Sequence, residues 1–452
     1  MRVLIQLRPS PDVVAAVADP DVTATTADVA DGLPGVVLDD SFTPVAVPRP
    51  VPVAGGDPLS LNQALTFSLA AGDASVMVRG EISDDELSTR LTLLPALRND
   101  VVGVFADPVI ESNLTCGGSA PVGDWHDVER LLHVAELQAE GLDGSGVALA
   151  ILDTGINAAH VTRHLGRDLI LDKERSWNPD GVTGTPGEFP VNHGTMCAFD
   201  TLIAAPRATL IDVPVLLSQR PGGSALDGLL SDAVAAFAHL RTILENQPAE
   251  SRSLVVSNSW GSFSPRWDFP VGHPGNYSDN PAHPFNLIVS SLERAGADVL
   301  FAAGNCGREC KDGRCAYPDR PITGANSHPS VLSIGGVDTL GERVGYSSQG
   351  PGRLAPRKPD ICSYTHFSGS KAFGAGEPDS GTSAACPVAA GLVAAIRTHW
   401  PASRLSPAQL RALLRRTADD RSDIGFDYDY GYGIAATSGV LASLRRRAMR
   451  VA

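Results

Sequence analysis

Gly381-Thr382-Ser383-Ala384-Ala385-Cys386-Pro387 stands before a run of small apolar residues that continues to Ile396. The run reads as a buried helix and the Gly-Thr-Ser corner as its start. Ser383 thereby falls where backbone N–H groups lack partners and the helix dipole favours negative charge. A nucleophile there has a stabilised oxyanion beside it. Pro387 falls within about the first two turns, near the end where a missing N–H costs least. Taken alone, a serine before an apolar helix is most often a cap. The chemical reading therefore needs a histidine and a carboxylate elsewhere, each in a fitting context.

On either side of this stretch, apolar strands alternate with helical patterns. Val147–Leu152, Leu210–Leu217, Leu254–Ser257, Asp298–Ala303 and Val331–Gly335 read as strands. Asp127–Gln138, Ala225–Asn246, Phe285–Ala295, Ala384–Trp400 and Pro407–Arg416 read as helices. In the second of these, Leu226, Leu229, Leu230, Ala233, Val234, Phe237 and Leu240 recur at three- and four-residue steps. Such alternation implies an α/β fold, a largely parallel sheet with helices on both faces. The N-terminal part differs. Val3–Leu7, Ser75–Ile82 and Val101–Phe105 read as strands, and Ser83-Asp84-Asp85-Glu86 is a capping-box pattern opening a helix toward Leu97. The expected organisation is a small α+β domain over 1–111, a linker over 112–124, a main domain over 125–447 and a tail over 448–452.

The 452 residues suit one large domain and a smaller one. The formal charge of −15 argues against nucleic acid as a partner. It is uneven: residues 1–125 hold 17 acidic residues against 6 arginines and no lysine, a net −11. The start, Met1–Arg8, is too short and too polar for a signal peptide. No run approaches the roughly 18 apolar residues of a membrane span. A soluble, cytoplasmic protein without membrane contact is the expectation. Seven cysteines, few and odd in number, suit a reducing compartment. Cys306, Cys310 and Cys315 share one loop. A metal site would usually want closer pairs and a fourth ligand. No metal is assigned there, and a local disulfide and free thiols both stay open.

Asp153 ends the strand Val147–Leu152, at the carboxyl edge where open α/β sheets place chemistry; an Asp turn before Gly155 explains it equally well. His193 opens a helix running to Ala205, and the dipole there disfavours its cationic form, as a general base requires. Asn305 follows the strand Asp298–Ala303, where its amide can donate to a developing oxyanion. The order Asp153…His193…Ser383 is that of the subtilisin-type triad.

These contexts together resemble the subtilisin-like (subtilase) serine peptidases, over roughly Trp125 to Leu444. The matching stretches are Ala150-Ile151-Leu152-Asp153-Thr154-Gly155-Ile156-Asn157 with His160, His193-Gly194-Thr195, Ser259-Trp260-Gly261, Ala303-Gly304-Asn305 and Gly381–Pro387. The resemblance implies a serine endopeptidase acting on polypeptides. Ser383 would be the nucleophile, His193 the general base and Asp153 its orienting partner; Asn305 would complete the oxyanion hole. Ser259, Trp260, Gly261 and Gly304 would bind substrate, with Gly222-Gly223 on the opposite side. No cofactor is needed for the chemistry. Structural calcium is common in the family, and no ligands are assigned.

The chain departs from the commonest pattern at Ala384, Val388 and Met196, none of them a triad position. Cys197 resembles the free cysteine of proteinase-K-like members, which implies inhibition by mercurials. The N-terminal region resembles the family's inhibitory propeptide, implying a domain that acts as intramolecular inhibitor or folding aid and is cut within Glu111–Asp124. The basic run Arg445-Arg446-Arg447 could pair with that acidic domain. Two rival readings stand beside this one. Asp153-Thr154-Gly155 and Asp379-Ser380-Gly381 match the paired motif of aspartic peptidases, although that fold is nearly all β. A catalytically silent subtilase-like protein that binds peptides or a partner is the other.

Overall fold

Ala148–Leu152 is uninterrupted apolar sequence, buried along its whole length. Its side chains alternate between two cores: Leu149 and Ile151 enter one, and Ala148, Ala150 and Leu152 enter the other. A strand apolar on both faces needs cover on both sides. Helices His193–Ala204 and Thr382–Arg397 supply the first core, and Leu230–Glu245 with Pro284–Ala295 supply the second. The strand is central in a seven-stranded parallel sheet. From edge to edge, the order is Ile361–Tyr364, Leu332–Val337, Ala297–Ala302, Leu254–Asn258, Ala148–Leu152, Thr209–Val213 and Ile170–Leu171. The expected α/β fold with helices on both faces is thus the observed one. The computed structural model describes residues 1–19, 22–30, 32–52, 65–68, 74–84, 94, 98–112, 115, 119–218, 227–422 and 424–451.

The Thr382–Arg397 helix is buried at every residue and lies directly on His193–Ala204. Gly391 permits this approach, because a Cβ there would stand 2.2 Å from the Thr201 carbonyl oxygen. Three expected elements differ. The strand begun at Leu210 stops at Val213, before Pro214, and Val215–Leu217 forms a 3-10 turn. The helix placed over Asp127–Gln138 is two helices, Trp125–Leu131 and Val134–Ala139, broken at His133 with a left-handed φ of 50°. The helix placed from Ala225 begins at Leu230, because Asp227–Leu229 pairs as a strand with Val109–Glu111.

The N-terminal part holds an antiparallel sheet in the order Leu65–Ser68, Val45–Pro52, Ala74–Glu81, Arg2–Leu7 and Val101–Ala106. Short helices Pro11–Ala18 and Thr26–Val29 accompany it. The helix expected toward Leu97 lies outside the described residues, save Ser83, Asp84 and Leu94. Leu4, Phe42, Val45, Val47 and Met77 join the second core beside Phe237 and Ile288. Polar groups reinforce this contact at the start of Leu230–Glu245. Asp107 accepts from Ser231 N at 2.7 Å and Ser231 Oγ at 2.9 Å, satisfying a donor the helix leaves unpaired. Arg79 reaches Asp39 at 2.8 Å, Ser231 at 3.1 Å and Asp232 at 3.2 Å. Burial pushes Asp107 up to about 6, against the pull of Arg79.

Candidate active site

The strand Ala148–Leu152 delivers Asp153 to the sheet's carboxyl edge, where Thr154 N donates to its Oδ1 at 2.8 Å. Gly155 turns the chain with a φ of +85°, a region open to glycine. Asn192 caps the His193–Ala204 helix by accepting from His193 N at 2.9 Å, which fixes His193 at its first turn. Gly194 N donates to Thr154 Oγ1 at 2.8 Å and locks the two segments together. His193 Nδ1 lies 2.8 Å from Asp153 Oδ1 and 3.0 Å from Oδ2. A carboxylate only accepts, so the imidazole proton belongs on Nδ1 and the lone pair on Nε2. Nε2 is buried and makes no hydrogen bond.

Ser383 occupies the first turn of its helix and is fully buried. Its hydroxyl donates to the Ser259 carbonyl at 3.4 Å, and Ser259 Oγ donates to the Ser383 carbonyl at 3.0 Å. Cys197, one turn beyond His193, touches all three residues. Its Sγ lies 3.5 Å from Asp153 Oδ2, 3.8 Å from His193 Nδ1 and 3.5 Å from the Ser383 carbonyl oxygen. The thiol therefore sits among the Asp153 and His193 side chains and the Ser383 backbone, and the side-chain cluster at this point is Asp153, His193 and Cys197. A serine–imidazole bond is not made in this state, since the hydroxyl is turned toward Ser259. Burial and the neighbouring Asp153 raise the Cys197 thiol well above its ordinary range. Asn305 Oδ1 accepts from Thr382 N at 2.9 Å and Thr382 Oγ1 at 3.1 Å. Gly304 N donates to Thr382 Oγ1 at 3.0 Å, so Gly304 and Asn305 are pinned to the start of the Ser383 helix.

Beside these residues the chain forms a separate three-stranded sheet. Val109–Ser112 lies between Asp227–Leu229 and Trp260–Gly261, antiparallel to both. Ser112 pairs with Trp260, Glu111 with Gly261 and Asp227, and Ile110 with Gly228. Ile110 is fully buried in the second core with Trp260. Thr115 Oγ1 stands 3.5 Å from Ser380 Oγ, just before the Ser383 helix. Arg314 meets this strand from the side: Nη1 donates to Glu111 Oε2 and Nη2 to the Ser112 carbonyl, both at 2.6 Å. Sequence reasoning missed Arg314, whose only signal is its place among the clustered cysteines Cys306, Cys310 and Cys315. Gly222-Gly223, expected to line the cleft, lie outside the described residues.

Cys306 and Cys315 form a disulfide, and Cys310 is disulfide-bonded as well. The free-thiol alternative for this loop is thereby closed. Asp379 accepts from Ser370 N and Ser370 Oγ, both at 2.5 Å, and burial pushes it up to about 6. Asp200, buried beside it, is raised well above the carboxylate range by burial and by Asp379. Asp153 and Asp379 belong to separate hydrogen-bonded sets, unlike a proton-sharing dyad. Among the described residues, one His/Cys/Asp/Glu group has metal-ligand spacing, Asp153–His193–Cys197. Its nitrogen and sulfur donors do not suit calcium, which takes oxygen ligands. No helix among the described residues is long and apolar enough to cross a membrane.

The parallel α/β sheet with Asp153 hydrogen-bonded to His193 at its carboxyl edge is the framework of a hydrolytic enzyme of the subtilase class. Residues 144–433 match the model of the Subtilase family (peptidase S8), and the chain belongs to this family of peptidases. It is 26% identical to Subtilisin DY of Bacillus licheniformis over 308 residues, covering 67% of this chain and 94% of that one. It is 25% identical to Fervidolysin of Fervidobacterium pennivorans, covering 67% of this chain and 41% of the relative. A Calcium-dependent protease of Nostoc sp. is 25% identical, with 64% and 45% covered. The chain thus spans nearly all of the first relative and less than half of the other two.

Proposed function

We propose that this chain is a serine endopeptidase acting on extended polypeptides. Ser383 Oγ attacks the scissile carbonyl while His193 Nε2 takes the hydroxyl proton. His193 then gives that proton to the leaving amine as the acyl-enzyme forms, and water completes the cycle by the same route. Asp153 holds the ring and stabilises its charged form. Asn305 and the Ser383 N–H take the oxyanion. The observation that carries this reading is the buried Asp153–His193 pair with a lone pair left on Nε2, joined through Cys197 to Ser383. Catalysis on this reading requires the Ser383 hydroxyl to exchange the Ser259 carbonyl for Nε2. Catalytic hydrogen bonds commonly tighten only when substrate is bound.

The seated Val109–Ser112 strand supports the second part of the reading. Residues 1–111 act as an intramolecular inhibitor or folding aid, and the chain is cut within Glu111–Asp124. A Ser383→Ala chain from a protease-free preparation then stays full length while wild type is trimmed; equal trimming of both counts against it. The disulfides favour an oxidising compartment over the cytoplasm expected from cysteine number. One experiment tests the chemistry. A serine-directed phosphonate is expected to label Ser383, by mass mapping, and to stop casein hydrolysis. Labelling elsewhere, or hydrolysis that survives in Ser383→Ala, removes the proposal.

A further inference from the structure

The position of Arg314 bears on which peptides the cleft accepts. The side chain projects from the loop closed by the Cys306–Cys315 disulfide. Phe263, Cys306 and Cys315 form a small apolar cluster beneath it, and Ala316 N donates to the Phe263 carbonyl at 3.1 Å. Asp312 fixes the guanidinium from behind, accepting from Nε at 3.2 Å and from Nη2 at 2.8 Å. Asp312 N in turn donates to the Asn305 carbonyl at 2.9 Å. The loop, the guanidinium and the oxyanion residue therefore form one connected frame. With one side held by Asp312, the guanidinium reaches Glu111 Oε2 with Nη1 and the Ser112 backbone with Nη2.

The two contacts have different meanings. The bond to the Ser112 carbonyl is made to any residue in that place and positions the strand. The bond to Glu111 reads a side chain. An extended strand seated beside Trp260–Gly261 presents the residue opposite Gly261 to this guanidinium, whatever its origin. Glu111 is 8% exposed and a charge-assisted, planar contact of this kind is selective for a carboxylate. A cation in the same place would face Arg314 at close range in a low-dielectric site.

We propose that Arg314 is a specificity residue: the cleft selects extended peptides that carry an acidic side chain opposite Gly261, the place Glu111 fills in the chain's own strand. The inference rests on the peptidase reading above, and its test separates the two. The full-length chain, after its own processing, is given peptides Val-Ile-Xaa-Ser-Asn-Leu-Thr with Glu, Ala or Lys at Xaa. Glu is expected to exceed Ala in kcat/KM by about tenfold, with Lys lower still. Arg314→Glu is expected to reverse the order of Glu and Lys, which a merely structural role of Arg314 would not do. Equal rates on all three peptides overturn the proposal. If no peptide is cleaved, the peptidase reading fails, and the selectivity is then decided by hydrogen exchange in the uncut Ser383→Ala chain. There Glu111→Lys is expected to speed exchange of the 109–112 amides, and adding Arg314→Glu to slow it again. Exchange unchanged by Glu111→Lys, or not restored by the second substitution, overturns it as well.

Discussion

The Cys197 thiol donates to the Ser383 carbonyl at 3.5 Å, so the helix that starts at His193 and the helix that carries Ser383 are tied together at the site. A mercury atom on that sulfur would displace Ser383 and disturb the Asp153–His193 pair. The thiol is 1% exposed and its ionisation is suppressed, so reaction is expected to be slow and progressive. Casein hydrolysis followed over time in excess mercurial is expected to decay, and whatever activity Cys197→Ala retains is expected to resist. Undiminished wild-type activity after prolonged exposure refutes this.

Asn305 Oδ1 accepts from Thr382 N and Thr382 Oγ1, which holds the Asn305 side chain at the start of the Ser383 helix, and the proposed mechanism makes its amide an oxyanion donor. Asn305→Ala is expected to lower kcat by about 100-fold or more, with a smaller change in KM, as for loss of one oxyanion donor. Steady-state kinetics on one peptide measure the split. A loss confined to KM assigns Asn305 to substrate binding instead.

Gly391 meets the Thr201 carbonyl where the Thr382–Arg397 helix crosses His193–Ala204. Gly391→Ala forces that helix pair apart and is expected to cost about 1–3 kcal/mol. Thermal unfolding of the Ser383→Ala background, with and without Gly391→Ala, reads the shift. An unchanged midpoint means the helices separate freely at this point.

Asp107 holds its proton more tightly when docked on Ser231 than when released, because burial pushes it up to about 6. Its contribution is therefore complete below the ordinary aspartate range and fades as pH rises through about 6. Burial raises neighbouring Asp232 in the same sense. Between about pH 4 and pH 7, Ser383→Ala is expected to lose stability relative to Ser383→Ala/Asp107→Asn by on the order of 2–3 kcal/mol. Denaturant melts across that range give the difference, and a constant gap speaks against the docked carboxyl.

The residues legible in the sequence share a trait. Asp153, His193, Asn305 and Ser383 each sit at an end of a strongly patterned apolar element, where the fold itself dictates the position. Asp227–Leu229 was read as helix because its apolar spacing continues that of Leu230–Glu245, while its partner, Val109–Glu111, lies far back in the chain. Arg314 escaped for a related reason. Its loop is shaped by a disulfide and by contacts with Phe263 and Asn305, none of which leaves a periodic trace. Histidine is among the non-glycine residues enriched at positive φ, but the apolar spacing of Val128, Leu131, Leu132 and Leu137 runs on across His133 and masks the break there.

The Val109–Ser112 strand is covalently part of the molecule whose groove it fills. Its local concentration there is set by tether length and is indifferent to dilution. If this strand is the inhibitor proposed above, its latency cannot be titrated away by lowering the protein level or outcompeted cheaply by free peptide. On that proposal it ends when the backbone is severed, after which the two pieces obey ordinary bimolecular dissociation and the timing of onset becomes a question of off-rate.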